Sequence, residues 1–293
     1  MHLSRNLVLL HITVFIWGFT AILGALIDMP AMELVWWRML IAALSLFAYL
    51  LYKKRPILLE PINILKLTGI GGIVALHWIF FFQSIKVSNV SVALVCLSST
   101  ALFTSFLSPI INRKGFSVLD LSVGLVIIGG IYLIFHFETR YTEGIMYGLA
   151  TALLASLFTI INEKQIRNRE AVMISFYEML GGFLIISVYL LATFHNSGYN
   201  LSLNLSDFVY LMLLGTVCTA VAYVTGVSVM KEISAYTVVL TTNLEPVYGI
   251  VLAFFIFGEK EHMTSGFYAG ALIILLSVFV YPILKRRFSP SSK

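Results

Sequence analysis

The sequence contains very little charge. Only 11% of its 293 residues are Asp, Glu, Lys or Arg, whereas 59% are hydrophobic, and the mean hydropathy is +0.95. A soluble domain carries about a quarter of its residues as charges. The longest polar stretch, around 195–207, is too short to form a separate soluble domain. The chain therefore lacks the polar residues to cover a soluble surface, and its apolar surplus must face lipid.

Cysteine is equally scarce. Cys96 and Cys218 both lie in apolar runs, which favours small buried hydrophobic side chains over a disulfide or a metal ligand. No Cys/His spacing resembles a zinc site, so a metalloenzyme has no support. The glycines of "GIGG" (69–72) follow no strand, which excludes a phosphate-binding loop. We therefore expect no metal and no cofactor, and the sequence does not support ATP-driven pumping.

Ten apolar runs follow one another along the chain, each close to the about 20 residues that a membrane-spanning helix requires. The first run is long, contains Trp17 and lacks a small-residue cleavage site, so we expect a retained span rather than a signal peptide. The predicted fold is an all-α integral membrane protein with ten transmembrane helices. The predicted spans are 7–27, 32–51, 65–85, 89–111, 117–136, 144–163, 171–192, 207–229, 234–257 and 264–284.

The distribution of lysine and arginine predicts the orientation of these spans. With the N-terminus inside, the inner segments carry 15 of these residues and the outer segments carry 3, and Arg38 lies within a span. This asymmetry follows the positive-inside rule. We expect a multi-pass protein of the cell inner (cytoplasmic) membrane with both termini in the cytoplasm.

The two halves of the chain contain a faint repeat. "WWRML" (36–40) aligns with "FYEML" (176–180), Lys86 aligns with Lys231, and the aligned positions are 139 to 146 residues apart. We predict two five-helix repeats, residues 1–138 and 139–293. Because each has an odd number of spans, the second would be inverted in the membrane, which is typical of alternating-access carriers with a binding site near the midplane.

Three stretches resemble one known family. "ELVWWRMLIAALSL" is similar to the second helix of the EamA family in the drug/metabolite transporter superfamily, "TTNLEPVYGIVLAFFIFGEK" to its ninth helix and "GFYAGALIILLSVFV" to its tenth. The resemblance extends over 7–284 and implies a ten-helix inner-membrane carrier, often an exporter of amino acids or related metabolites. The first half departs from the pattern, since "SSTALFTSFLSPIINRK" has Ala101 opposite Pro246 and no Gly-Glu ending. The resemblance therefore supports transport better than any particular substrate.

Glu245 lies near the middle of the ninth predicted span. A charge at this depth costs at least about 2.5–3.5 kcal/mol and usually faces a cavity or a partner. Pro246 cannot donate to the carbonyl of Thr242, which frees an acceptor beside the carboxylate. We predict a substrate-binding face of Thr241, Thr242, Glu245 and Tyr248, with Glu245 as the proton-coupling candidate. The alternative is a structural glutamate that is hydrogen-bonded to a neighbouring helix.

Arg38 is the second candidate, as an anchor for a substrate carboxylate or, alternatively, as a structural tie to backbone carbonyls. Its repeat equivalent, Glu178, is expected nearer the opposite membrane face, which argues against a direct salt bridge between them. For His77 the alternative of a neutral, packed histidine is the more common case. No residue is predicted to be catalytic, and the remaining candidates for the substrate cavity are Trp17, Trp78, Thr100 and Tyr223.

The leading hypothesis is a secondary transporter that exports small organic metabolites, most plausibly amino-acid-like compounds. One alternative is a lipid or undecaprenyl-phosphate flippase on the same fold, which would favour a basic, laterally open groove. Another is an intramembrane enzyme, which would need a convergent catalytic set that the scattered polar residues do not form. The expected partners are the small-molecule substrate and the lipid bilayer, not nucleic acid, and a homodimer is left open.

The orientation can be tested by cysteine labelling. Cysteines placed in the 52–64 and 164–170 loops are expected to react only from the cytoplasm, and those in 195–204 only from outside. Labelling of 195–204 from inside alone would overturn the orientation and the inverted-repeat argument together.

Overall fold

A computed structural model describes residues 5–113, 115–116, 118–197, 199 and 201–288, and within these ranges the chain forms helices and no strand. The α-helices are α1 (Arg5–Leu26), α2 (Ala31–Tyr52), α3 (Pro61–Val87), α4 (Val90–Leu97), α5 (Thr100–Asn112), α6 (Val118–Phe137), α7 (Thr142–Gln165), α8 (Ala171–Ser197), α9 (Leu205–Gly215), α10 (Ala222–Val229), α11 (Ala235–Thr242), α12 (Glu245–Phe257) and α13 (Ser265–Phe288).

These helices make up ten spans. The fourth span consists of α4 and α5, the eighth of α9, a π-helical turn (Thr216–Val221) and α10, and the ninth of α11 and α12. Eight segments are long and apolar enough to cross a membrane, and the shorter apolar helices 122–137 and 265–281 complete the set. The ten-helix prediction is confirmed, with helix ends within about five residues of those expected.

The two halves pack mainly against each other. Helix α3 of the first half lies along α7 and α8 of the second, α2 contacts α8, and α6 contacts α13. Helices in corresponding positions of the two halves, such as α2 and α8, or α6 and α13, touch their own counterparts. This arrangement is the one expected around an internal two-fold axis, and it places the main apolar core at the junction of the halves.

Glycines bring α3 and α8 unusually close. A Cβ atom on Gly71 would lie 2.1 Å from the carbonyl oxygen of Glu178, and one on Gly181 would lie 2.5 Å from the Cα of Thr68. Small residues of this kind let helix backbones approach each other in membranes. The contact fixes the part of α8 that carries Glu178 against the first half of the protein.

The fourth and ninth spans are interrupted at corresponding positions. Helix α4 ends at Leu97 and α5 begins at Thr100, while α11 ends at Thr242 and α12 begins at Glu245; both ends and both starts are 145 positions apart. Pro246 lies in the first turn of α12, where its missing N–H costs nothing. Broken backbone at membrane depth is tolerated only where it is buried in protein or lines a cavity.

The break in the fourth span has a different local cause, because the sequence there contains no proline. The hydroxyl of Thr100 donates to the carbonyl of Leu97 at 2.6 Å. It thereby satisfies an acceptor that the interrupted helix no longer pairs. Short polar side chains of this type compete with helical hydrogen bonding, so Ser98, Ser99 and Thr100 together can end one helix and begin the next.

The loop between α12 and α13 is fastened to the start of α4. The carboxylate of Glu261 accepts hydrogen bonds from the backbone N–H groups of Val90 at 3.1 Å and of Ser91 at 2.9 Å. Asn89 caps the same helix by accepting from the N–H of Val92 at 2.9 Å. The carboxylate also lies at the positive end of the α4 dipole, which favours a negative charge.

Replacing Glu261 by Ala is expected to destabilise the protein. Glu261 is buried, and its loss leaves two buried N–H groups unpaired, at about 1–3 kcal/mol. Thermal unfolding in detergent should show a lower Tm for Glu261→Ala. Glu259→Ala is the matched control, because the Glu259 side chain in the same loop is 94% exposed. Equal Tm values for both variants would contradict this account of the α4 terminus.

Candidate functional site

A cavity of about 110 Å³ lies between the two halves, where both interrupted spans meet. Its walls come from α1, α2, α3, the α4–α5 break, α7, α10 and the α11–α12 break, so both halves contribute. In carriers built from inverted repeats, the binding site lies between the two halves, near the membrane midplane. The cavity is therefore the candidate substrate site.

Eight of the ten residues that the sequence singles out line this cavity. They come from six of the ten spans and are Trp17, Arg38, His77, Trp78, Thr100, Tyr223, Thr242 and Glu245.

Thr241 and Tyr248 do not line the cavity. The hydroxyl of Thr241 donates to the carbonyl of Thr237 at 2.9 Å, and the ring of Tyr248 packs edge-on against Phe15 at 5.4 Å between centroids. The prediction assumed one continuous helical face through 241–248. Because the helix is interrupted after Thr242, that face does not exist, and Tyr248 turns toward α1.

Three polar lining residues were missed: Thr20, Ser98 and Asn243. Thr20 and Thr159 are 139 positions apart, and Ser98 and Asn243 are 145 apart, the same offsets that relate the two halves. The repeat itself was thus a signal that could have found them. Any polar residue whose repeat equivalent is also polar was a candidate for the junction.

Arg38 is a buried cation that forms no direct salt bridge within the described part of the chain. Its Nε donates to the hydroxyl of Thr219 at 2.7 Å, and its Cζ lies 3.8 Å from the ring centroid of Trp78, a cation–π contact. Nη1 is buried and has no hydrogen-bond partner in the structure. The anchor is therefore a side chain rather than the backbone carbonyls considered above, and the protein satisfies the guanidinium only in part.

The position of Thr219 explains how Arg38 is held. Thr219 lies in the π-helical turn of the eighth span, and its hydroxyl donates to the carbonyl of Leu214, five residues earlier, at 2.6 Å. That bond leaves the oxygen lone pairs of Thr219 to accept from Arg38. Single π turns of this kind are frequent at functional sites.

Glu245 is the first residue of α12 and is 6% exposed. Among the residues that the structure describes, its carboxyl group forms no ion pair, and no side-chain hydrogen bond to a neighbouring helix accounts for it. The N-terminal end of α12 offers a positive dipole to the carboxylate. Arg38 and Glu245 thus line one cavity with opposite charges, which interact electrostatically but form no direct salt bridge.

His77 is held by α7. Its Nδ1 lies 2.9 Å from the carbonyl oxygen of Thr151 and 2.7 Å from the Thr151 hydroxyl, which itself donates to the carbonyl of His77. A carbonyl can only accept, so these contacts assign the proton to Nδ1 and leave Nε2 as an acceptor. The geometry fits the packed, neutral histidine, although the ring still forms part of the cavity wall.

The remaining walls are aromatic and carry one free amide donor. Trp78 and Tyr223, equivalent residues at an offset of 145, meet edge-on at 6.0 Å between ring centroids. Phe158 lies 6.2 Å from Tyr223. Asn243 Nδ2 is buried without a partner. No group of His, Cys, Asp and Glu that could hold a metal ion occurs within the described part of the chain.

Glu178 lies outside the cavity lining. Its carboxylate accepts from the hydroxyl of Tyr223 at 2.7 Å and from Asn162 Nδ2 at 3.2 Å. No Arg38–Glu178 ion pair is formed, as the depth argument from the sequence predicted.

Comparison with known proteins agrees with this architecture. The sequence model of the EamA-like transporter family matches residues 5–136 and 142–281, one stretch in each half. An uncharacterized transporter of Archaeoglobus fulgidus is 22% identical over 291 residues, covering 94% of this chain and 97% of that protein. An uncharacterized transporter of Bacillus subtilis is 23% identical, covering 85% of this chain and 81% of its own.

A solved crystal structure shares the fold. It aligns with a TM-score of 0.71 over 97% of this chain and 99% of its own, at 17% identity. The family match covers both halves of the chain, and the related proteins are transporters rather than enzymes. The chain is therefore a multi-pass membrane protein that belongs to the EamA-like transporter family.

Proposed function

We propose that this transporter moves amino acids or closely related zwitterions across the cytoplasmic membrane by alternating access, in the direction of export. The observation that carries the proposal is the presence of opposite charges in one cavity, Arg38 and Glu245, which interact electrostatically but form no direct salt bridge. An unpaired charge in the membrane interior is costly. A zwitterion whose carboxylate binds Arg38 and whose ammonium binds Glu245 would compensate both charges at once.

The size and walls of the cavity favour a small substrate. Pockets for drug-sized ligands measure about 300–1,000 Å³, whereas this cavity measures about 110 Å³. Its aromatic walls suit an apolar side chain between the two charged ends. Arg38 is its only arginine, and no lysine lines it, so the lining offers little to a lipid phosphate flippase.

The two helix breaks support alternating access. They lie at corresponding positions of the two halves and on the same cavity. A break lets the half-helix on either side tilt without stretching a continuous hydrogen-bond ladder. Exchange of shape between the halves would then open the cavity first to one face and then to the other. Export rather than uptake is the direction that the family resemblance implies.

Glu245 also provides a means of coupling transport to protons. A carboxyl group can hold either a substrate ammonium or a proton, but not both at full strength. Competition between them at Glu245 would exchange one for the other across the membrane. Glu245 lines the cavity, which supports this mechanism.

Substitution of Arg38 tests the carboxylate anchor. Arg38→Ala is expected to impair transport more than Arg38→Lys, because arginine binds a carboxylate through a planar fork and lysine keeps only the charge. Loss of a buried, hydrogen-bonded charge partner weakens binding by about 2–5 kcal/mol. Amino-acid efflux from cells overexpressing each variant, at equal membrane levels, measures this. Near-normal efflux by both variants would reduce Arg38 to a structural role.

Substitution of Glu245 tests the coupling. Glu245→Gln keeps the shape and hydrogen bonding of the side chain but cannot titrate. We expect it to abolish transport driven by a pH gradient while substrate exchange remains. Proteoliposomes loaded with the amino acid found by efflux profiling, with and without a pH gradient, show the difference. Glu259→Gln, in an exposed loop, is the control. A Glu245→Gln variant that responds to the gradient as the wild type does would exclude Glu245 as the coupling group.

A further inference from the structure

A second buried carboxyl group lies beside the substrate cavity and is not used by the proposed binding mode. Glu178 on α8 is fully buried, as are Asn162 on α7 and Ser175 one turn earlier on α8. Each of the three has one oxygen without a hydrogen-bond partner: Glu178 Oε1, Asn162 Oδ1 and Ser175 Oγ. Buried acceptors that lack a donor are rare in folded proteins, and each one calls for an explanation.

The hydrogen bonds made by Glu178 and Asn162 show which donor is missing. Asn162 Nδ2 donates to Glu178 Oε2 at 3.2 Å, and the hydroxyl of Tyr223 donates to the same oxygen at 2.7 Å. The other oxygen of the carboxyl group and the other end of the amide are both acceptors with no donor between them. A single proton on Oε1 turns this buried acceptor into a donor.

Among the described residues, no charged side chain of a neighbouring helix supplies the missing hydrogen-bond donor to Glu178, which leaves this role to a proton. The helices that pack against α8 at this level are α2, α3, α7 and α10. The charged or titratable residues on these helices include Arg38 on α2, Lys66 and His77 on α3, Glu163 and Lys164 on α7, and Tyr223 on α10. Only Tyr223 hydrogen-bonds to the carboxyl group, and none forms an ion pair with it. A metal cation is disfavoured, because hard cations take about six or more oxygen ligands.

We propose that Glu178 and Asn162 form a proton-binding site, separate from Glu245 and joined to the substrate cavity by Tyr223. Tyr223 lines the cavity with its ring and reaches Glu178 with its hydroxyl. A proton arriving at Glu178 changes the acceptor that holds this hydroxyl, and so changes one wall of the cavity. The use of this site in transport rests on the proposed function; proton binding itself does not.

Infrared difference spectroscopy tests proton binding without any substrate. The probe is pH alone, applied to protein reconstituted in lipid vesicles, in a Glu245→Gln background so that Glu245 contributes no signal. We expect a carbonyl band of a protonated carboxyl group that disappears as the pH rises. The band should be lost completely on adding Glu178→Gln and retained on adding Glu163→Gln, the adjacent carboxylate on α7. Failure of the transport proposal would leave this result unchanged.

Three outcomes would overturn the proposal. The first is a titrating band that survives in Glu178→Gln. The second is the absence of any titrating band in the Glu245→Gln background. The third is loss of the band when sodium replaces choline at constant ionic strength, which would assign the site to a sodium ion.

Asn162→Leu provides a second test of the same band if the Glu178→Gln variant does not fold. Removal of the amide takes away one hydrogen bond to Oε2, so the carbonyl band is expected to shift in frequency. Tyr223→Phe removes the other bond and is expected to shift it as well. An unchanged frequency in both variants would show that Glu178 is not the group that gives rise to the band.

Discussion

The buried guanidinium of Arg38, which forms no direct salt bridge among the described residues, is the constraint on which the rest of the site depends. Such a charge persists only if other interactions compensate for the lost hydration. The structure provides the face of Trp78 and the hydroxyl of Thr219, and the latter is available because the eighth span contains a π-helical turn. These contacts leave part of the guanidinium unsatisfied. The protein therefore compensates the charge of Arg38 only in part, and a bound carboxylate would supply the rest.

The internal repeat shows how the two halves have diverged around a shared frame. Arg38 and Glu178 are equivalent in sequence, and so are their partners Trp78 and Tyr223. In one half the pair is a cation over an aromatic face, and in the other it is a carboxylate bound by a phenol. The equivalent positions therefore carry a basic residue in the cavity wall and an acidic residue outside the lining. In the proposed mechanism, the symmetry allows the halves to exchange shape, while this asymmetry provides the two different polar groups.

Much of the fold could be predicted from the sequence, because membrane spans depend on hydrophobic length alone. The break in the ninth span was indicated in the sequence by Pro246. The break in the fourth span was not, since Ser98 and Thr100 hydrogen-bond to the backbone through their side chains there, and no proline removes an N–H. The π turn was equally hidden, because no residue type specifies it. Periodicity arguments fail at such points, which is why Thr241 and Tyr248 were assigned to a face that the broken helix does not have.

Residues of the candidate site could be predicted from the sequence only where placing the side chain in a membrane costs much free energy. Arg38 and Glu245 were found because a charge within a span demands a reason. Asn243 and Thr20 were missed because a single amide or hydroxyl can pair within its own helix at little cost. Glu178 lies between these cases. It was identified as charged, yet its meaning depended on Asn162 and Tyr223, which come from two other helices. Sequence identifies which groups must be compensated, and only the packing of helices shows which groups do so and where a donor is still lacking.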